Sequence, residues 1–322
     1  MRAFVTGGAG FIGSHLCERL LESGWDVSVI DDLSTGRLSN IGAISDNPKF
    51  QFVEGSVRDA KVMEGLAGEC DVIFHMAAAV GVQLIVDRPV HTIETNIHGT
   101  EVVLEVANRF KKNVLLASTS EVYGKNEQVP FREDDDTLLG STRFSRWSYA
   151  CSKAIDEFLA FAYHDQFGLD VVVARLFNTI GPRQVGQYGM VVPRFIQWAL
   201  RDEPVLIYGD GRQSRCFAYV GDVVDGLIGL INSDNAAGSV YNIGSDEEIT
   251  IEGLADLIIT KTDSKSEKRF VSYEKAYGKA FDDMARRVPS LERIRKQTGY
   301  EPRTDLERTL EIIISYFKET AE

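Results

Sequence analysis

A tyrosine and a lysine four residues apart, Tyr149 and Lys153 in R-W-S-Y-A-C-S-K, follow a cluster of hydroxyls and a carboxylate, Thr119, Ser120 and Glu121, that closes the apolar run N-V-L-L-A-S-T-S-E. Four residues is the spacing that sets two side chains on one face of a helix. A lysine ammonium held beside a phenol favours the phenolate, so Tyr149 can exchange a proton with a substrate hydroxyl near neutral pH. Such equipment oxidises and reduces a carbinol. A tyrosine and lysine at this spacing also occur by chance on ordinary amphipathic helices, so the upstream sequence must decide between the two.

It decides for the relay. Residues 2–6, R-A-F-V-T, predict a short buried strand, followed by G-G-A-G-F-I-G and a helix from Ser14 to about Glu22. Gly7, Gly10 and Gly13, with Phe11 and Ile12 between them, allow a tight turn, close approach to a pyrophosphate and packing of the helix on the sheet. The next strand, D-V-S-V-I-D-D, ends in Asp31 and Asp32. Carboxylates there accept hydrogen bonds from the adenosine ribose and repel a 2′-phosphate, which predicts NAD rather than NADP.

The turn-rich loop 33–40 brings Ser34, Thr35 and Gly36 over the adenosine side. The strand at 50–55 exits at Ser56 and Val57, placed to flank an adenine. In D-V-I-F-H-M-A-A, Met76, Ala77 and Ala78 let the chain pass close to the cofactor, while His75 reads as a packed structural histidine. A helix over about 91–110 carries Asn96, which can bind backbone near the site. The strand at 113–117 then delivers Ser118 through Glu121 to the cleft. Strands alternating with helices predict an α/β fold, a Rossmann-type doubly wound parallel sheet over residues 1–177 with ligands at the carboxyl ends of its strands.

A polar loop at 125–147 holds an acid run, Glu133 to Asp136, expected to be solvated surface, and ends near Arg146 at the mouth of the same cleft. Helix 149–167 leads to a sixth strand at 169–177. After Asn178 the style changes to turn-rich segments, including Q-V-G-Q-Y-G-M at 184–190, and a smaller substrate-binding lobe is expected over 178–322. A strand near 239–244 is expected to return to the main sheet, 260–268 to be a surface linker, and 306–317 a packing helix. Arg183, Arg194, Arg215, Arg286 and Arg287 all fall in this half. In an acidic chain they are candidates for clamping a diphosphate, Arg215 foremost, with several others expected to be surface charges.

With 322 residues, 44% hydrophobic and 26% charged, the chain can bury a substantial core. Its formal net charge of -13 argues against nucleic acid or an anionic membrane as the main partner. Cys17, Cys70, Cys151 and Cys216 show no metal-ligand or redox spacing, which suits reduced thiols in a cytoplasm. Met1 leads directly into a strand, with no signal peptide or membrane span expected, and no metal is expected.

These motifs resemble the extended short-chain dehydrogenase/reductases that act on nucleotide-diphosphate sugars. The resemblance rests on T-G-G-A-G-F-I-G-S-H (6–15), D-D-L-S-T-G (31–36), S-T-S-E-V-Y-G (118–124), Y-A-C-S-K (149–153), R-L-F-N-T-I-G-P-R (175–183) and Y-G-D-G-R-Q-S-R (208–215), and so spans nearly the whole chain. It implies NAD retained through the cycle, a nucleotide-sugar substrate, and transient oxidation at sugar C4. Tyr149 would be the base, Lys153 would lower its pKa, and Thr119 would hydrogen-bond the C4 oxygen. Asn178, Arg183, Val191, Tyr208, Arg215 and Arg287 would bind the substrate, and a homodimer would form through the helices near 91–110 and 149–167.

Within this family the sequence is most similar to UDP-glucuronate decarboxylases. Glu121 stands where simple 4-epimerases carry a small neutral residue, Arg146 lies three before Tyr149, and Arg215-Cys216-Phe217 replaces the Arg-Asp-aromatic of epimerases and dehydratases. The segment R-W-S-Y-A-C-S-K is closer to bacterial decarboxylase domains that release a 4-keto-pentose than to the xylose-forming enzymes. The resemblance implies decarboxylation of UDP-glucuronic acid to UDP-xylose or its 4-keto form, with 4-epimerisation of UDP-glucose or UDP-glucuronate, or 4,6-dehydration, as alternatives.

Overall fold

Runs such as V-V-V-A-R-L and N-V-L-L-A carry branched apolar residues without alternation, the pattern of strands covered on both faces. The computed structural model describes residues 1–81, 85, 87–186, 189–277 and 284–320; residues 187 and 188 of the turn at 184–190 lie outside them. The runs become β1 (Arg2–Thr6), β2 (Asp26–Asp31), β3 (Phe50–Glu54), β4 (Val72–His75), β5 (Asn113–Thr119) and β6 (Val171–Leu176). The short strands β7 (Thr179–Ile180), β8 (Val205–Tyr208), β9 (Ser214–Cys216) and β10 (Ala218–Tyr219) follow, then β11 (Ser239–Ile243), β12 (Glu248–Thr250) and β13 (Lys268–Val271). Seven strands form one sheet in the order β11-β6-β5-β4-β1-β2-β3, and every pairing in it is parallel. The order reverses between β1 and β4, which opens a crevice at the carboxyl ends of those strands.

The helices are α1 (Phe11–Glu22), α2 (Ala60–Gly68), α3 (Pro89–Phe110), α4 (Arg146–Phe167), α5 (Val191–Ala199), α6 (Val220–Ile231), α7 (Ile251–Thr262), α8 (Tyr273–Tyr277), α9 (Glu292–Thr298) and α10 (Leu306–Thr320). Side chains of α2, α3 and α4 bury one sheet face against Phe4, Ile73 and Leu116. Those of α1, α6 and α9 bury the other against Val5, Phe74 and Ile243. Each fully buried Leu, Ile or Phe contributes about 1.5–3 kcal/mol. A third core, built on Phe195, Ile196, Ile207, Leu254, Ile258 and Leu310, belongs to the lobe after Asn178. Among the described residues no helix is long and apolar enough to cross a membrane.

Three local expectations need correction. Both α1 and α4 begin three residues before the predicted start, which brings Arg146 into the first turn of α4. The segment 260–268 is not a free linker. Its first residues finish α7 and its last begins β13, which pairs in parallel with β8; Lys261 and Lys268 bind carboxylates of α10 and α7, contacts that polarity along the chain does not reveal. Finally, Glu133 is buried rather than solvated, because its carboxylate accepts the Asn242 backbone N–H at 2.9 Å.

The tightest contact lies where α1 meets β1. Gly7 has φ +71°, and a Cβ on Gly13 would stand 2.1 Å from the Gly7 carbonyl oxygen. Gly13→Ala must therefore lift α1 off the turn, and is expected to lower stability by about 1–3 kcal/mol, read as a lower midpoint in thermal unfolding; an unchanged midpoint would refute this packing.

Candidate active site

The crevice widens into a cleft of about 760 Å³ between the strand ends and the lobe. One half of it is built from the glycine turn and the end of β2. Asp31 accepts the Ala9 and Leu33 backbone N–H groups, each at 2.9 Å. Burial pushes its carboxyl up, and these two donors work against that rise. Asp32 accepts from the Ser34 N–H at 3.0 Å and hydroxyl at 2.6 Å, shaping the loop that follows. Asn40 reaches back from that loop to the Ala9 carbonyl at 2.9 Å. Gly7, Gly10, Gly13, Asp31, Asp32, Ser34 and Thr35 thus line one end of the cleft, and Ser56, Val57, Met76, Ala77, Ala78 and Ser118 line it too. The α1 N-terminus has no side-chain cap, so its backbone donors are available to a phosphate. Two carboxylates and an uncapped helix end fit a dinucleotide with a free ribose 2′-hydroxyl.

Gly36, Asn96, Lys153 and Arg183 stand outside the lining. Gly36 packs against the Asp31 carboxylate, which a Cβ would meet at 2.8 Å. Asn96 binds the Ala79 N–H at 2.8 Å and Ser152 Oγ at 3.2 Å, fixing the chain behind the cleft. Arg183, at φ +68°, donates to Ser14 Oγ at 3.2 Å and Glu18 at 2.6 Å, which ties the lobe to α1.

The chemical half comes from β5 and α4. Thr119 ends β5 and caps the 3₁₀ turn Ser120–Tyr123 by accepting the Glu121 N–H at 3.3 Å. Its hydroxyl also hydrogen-bonds the Tyr149 phenol. Burial, then the Glu121 charge, pushes Tyr149 up; Thr119 counters this, Asp156 adds to it, and Arg287 opposes it. The Lys153 ammonium does not rest on the phenol as spacing alone suggests. It donates to Asp156 at 2.7 Å, three residues along the same helix, because a carboxylate that is 0% exposed demands a counter-ion.

Glu121 brings distant segments together. Arg287 Nη1 lies 3.3 Å and Arg146 Nη2 3.7 Å from the same carboxylate oxygen. Arg215 also lines the cleft, donating to the Ser214 carbonyl at 2.7 Å. Asn178, Val191 and Tyr208 line the same part of the cleft. Arg194 stacks on Tyr208 and Trp198 with its guanidinium 4.9 and 4.7 Å from the rings. Arg286 instead pairs on the surface with Glu248 at 2.7 Å. Sequence reading did not single out Gln213 or Tyr273 in the lining; Gln213 lies within the quoted Y-G-D-G-R-Q-S-R segment without a role assigned to it, and Tyr273 sits in no motif.

His75 has the structural role expected of it, 2.8 Å from Thr6 Oγ1 and 3.1 Å from Thr100 Oγ1. Burial, and then the Lys153 charge, lower its pKa to about 3. The unfolded chain therefore takes up a proton below its own pKa near 6.5 that the folded chain refuses, and this contribution to stability is lost as pH falls from there towards 3. In NMR the His75 ring shifts should stay constant between pH 5 and 8; a titration midpoint near 6.5 would contradict this burial.

A family model described as GDP-mannose 4,6 dehydratase matches residues 4–313. A UDP-N-acetyl-alpha-D-glucosaminuronate decarboxylase of Bacillus cytotoxicus is 40% identical over 319 residues, covering 99% of this chain and 98% of that protein. UDP-glucuronic acid decarboxylase 1 of Danio rerio is 38% identical over 321 residues, covering 100% and 73%. Among solved structures, the UDP-glucuronic acid 4-epimerase of Bacillus cereus, in complex with UDP-glucuronic acid and NAD, has a TM-score of 0.90 and 29% identity, covering 99% of this chain and 100% of that one.

Proposed function

The chain belongs to the GDP-mannose 4,6-dehydratase family of extended short-chain dehydrogenase/reductases, and on that footing we propose that it is an NAD-dependent decarboxylase of a UDP-linked hexuronic acid. The observation that carries this reading is Glu121 held by Arg146 and Arg287 beside Thr119 and Tyr149. An epimerase needs only the relay. Two guanidiniums that converge on one carboxylate present the kind of fork donor suited to a second carboxylate, that of sugar C6.

NAD, when bound, supplies the acceptor and later the donor of the C4 hydride. Asp31 and Asp32 take its ribose, and the α1 N-terminus faces its pyrophosphate. Tyr149 receives the C4 hydroxyl proton, with Thr119 hydrogen-bonding the same oxygen. The resulting ketone is β to the C6 carboxylate, so the C5–C6 bond breaks and its electron pair enters a C4 enolate as CO2 leaves. Arg287 and Arg146 stabilise that negative charge, and a water ordered by the Glu121 carboxylate protonates C5, the proton coming from solvent. Asn178, Val191, Tyr208 and Arg215 hold the UDP portion, while Arg183 braces the glycine turn.

UDP-glucuronic acid is the first substrate, giving UDP-xylose or its 4-keto form. Its 2-acetamido counterpart is a second, favoured by the decarboxylase of Bacillus cytotoxicus that covers nearly the whole chain. We place the protein in the cytoplasm, a reading supported by four free cysteines. It pairs with a second copy through α3 and α4, whose outer faces present Val90 at 65% and Phe158 at 76% exposure.

Incubation with each hexuronate and NAD should yield a product lighter by one CO2 in mass spectrometry; an unchanged mass with inverted C4 in NMR would make the enzyme an epimerase. Tyr149→Phe should retain NAD and lose about 10²–10⁴-fold in turnover. Phe158→Glu should convert a dimer to a monomer in light scattering.

A further inference from the structure

The reaction outlined above leaves one fully buried carboxylate without a task. Asp156 is 0% exposed and Lys153 only 2%, and Lys153 Nζ donates to Asp156 Oδ2 at 2.7 Å. Tyr149, Lys153 and Asp156 stand at i, i+4 and i+7 of α4, one face of the helix. Asp156 Oδ1 makes no hydrogen bond in this geometry, and the Thr100 hydroxyl of α3 faces the carboxylate. Thr100 Oγ1 lies 3.1 Å from His75 Nε2, His75 Nδ1 lies 2.8 Å from Thr6 Oγ1, and Thr6 Oγ1 accepts the Ala77 N–H at 3.2 Å.

One polarity of this series also serves the Asp156 carboxylate. An ionised carboxylate only accepts, so the Thr100 proton turns towards Asp156. Thr100 oxygen then accepts from His75 Nε2–H, and the bare Nδ1 accepts from the Thr6 hydroxyl. His75 is neutral, which this arrangement requires. The series starts at Ala77, in the cofactor cleft, and ends on the ammonium one turn from the base. It has no outlet to water at the histidine, so it serves as a brace and not as a path for protons.

We propose that Asp156 is a positioning residue for the C4 chemistry: it holds Lys153 beneath the cleft, braces it through Thr100 and His75 to the ends of β1 and β4, and its charge sets the pH at which Tyr149 ionises. This rests on Tyr149 being the base, and on nothing that follows C4 oxidation. The other charges that face Tyr149 are already matched: Glu121 by Arg146 and Arg287. On α4, Glu157 is taken by Arg175 of β6 at 2.7 Å. From β4 the facing group is neutral His75. On the face of α4 that carries the phenol, Asp156 is the buried carboxylate whose charge reaches Tyr149.

The test is the pH profile of single-turnover NADH formation from UDP-glucuronic acid by the wild type and Asp156→Asn. Removing a negative charge near the phenol favours phenolate, so the rising limb should move to lower pH by about one unit. The dissociation constant for NAD should stay within about threefold, and Asp156→Glu should restore the wild-type limb. An unmoved limb in Asp156→Asn, or lost activity with lost NAD binding, overturns the proposal. A second measurement needs neither variant nor substrate: nitrogen NMR of wild-type His75 should report the Nε2–H tautomer, and the Nδ1–H tautomer would overturn the assigned polarity. A wild type that forms no NADH, with His75 still in the Nε2–H form, counts against the substrate reading and not against the brace.

Discussion

Everything at the site depends on how closely α1 can lie against the ends of β1 and β4. The Gly7 carbonyl occupies the space a side chain at position 13 would need, and a Cβ on Gly7 would come within 2.8 Å of the Ala77 backbone. Those two absences of side chain bring a helix N-terminus, a strand end and the Met76–Ala78 segment into one crevice. Asp31 then uses its carboxylate on the turn itself, through the Ala9 N–H, so the group suited to a ribose also stiffens the loop that approaches the phosphates. Binding surface and scaffold are the same atoms here, which limits how far either can vary alone.

The second theme is charge. A chain of net charge -13 repels anionic ligands at long range, yet the cleft gathers arginines, and those around Glu121 and Ser214 have local partners. Arg146 and Arg287 share Glu121, and Arg215 is tied to backbone carbonyls. Deeper in the sheet, Arg175 binds Glu157 and lies 4.8 Å from the Tyr123 ring, while Ser118 donates to the same Glu157. Preformed pairing of this kind holds guanidiniums in place before a diphosphate or carboxylate arrives, which lowers the entropy lost on binding.

Much of this was legible from residue type and spacing. The strand, turn and helix around Gly7–Gly13, the acidic end of β2, and the Thr119, Tyr149 and Lys153 set all announced themselves, because local backbone demands and short-range helix geometry produced them. What escaped was decided at long range. The Lys153 ammonium turned to Asp156, whose burial follows from α3 packing on α4. Glu133 looked solvated within its acid run, and only pairing with Asn242, more than a hundred residues away, buried it. Gln213 and Tyr273 entered the cleft by the folding of the lobe, and β13 was masked by lysines that find their carboxylates on other helices.

The return of β11 to the edge of the main sheet has a consequence for how such a protein can change over time. The chain leaves the sheet after β6, builds α5, β8 and β9, and comes back to hydrogen-bond β6 along its full length before departing again for α7, β13 and α10. The lobe is therefore stitched to the nucleotide-binding layer at several seams instead of hung from one. A piece exchanged at Asn178 would therefore carry an edge strand of the main sheet with it, and that strand would have to pair with the resident β6. Point substitution at lining positions such as Arg146, Glu121 and Arg287 alters the cleft without disturbing that seam.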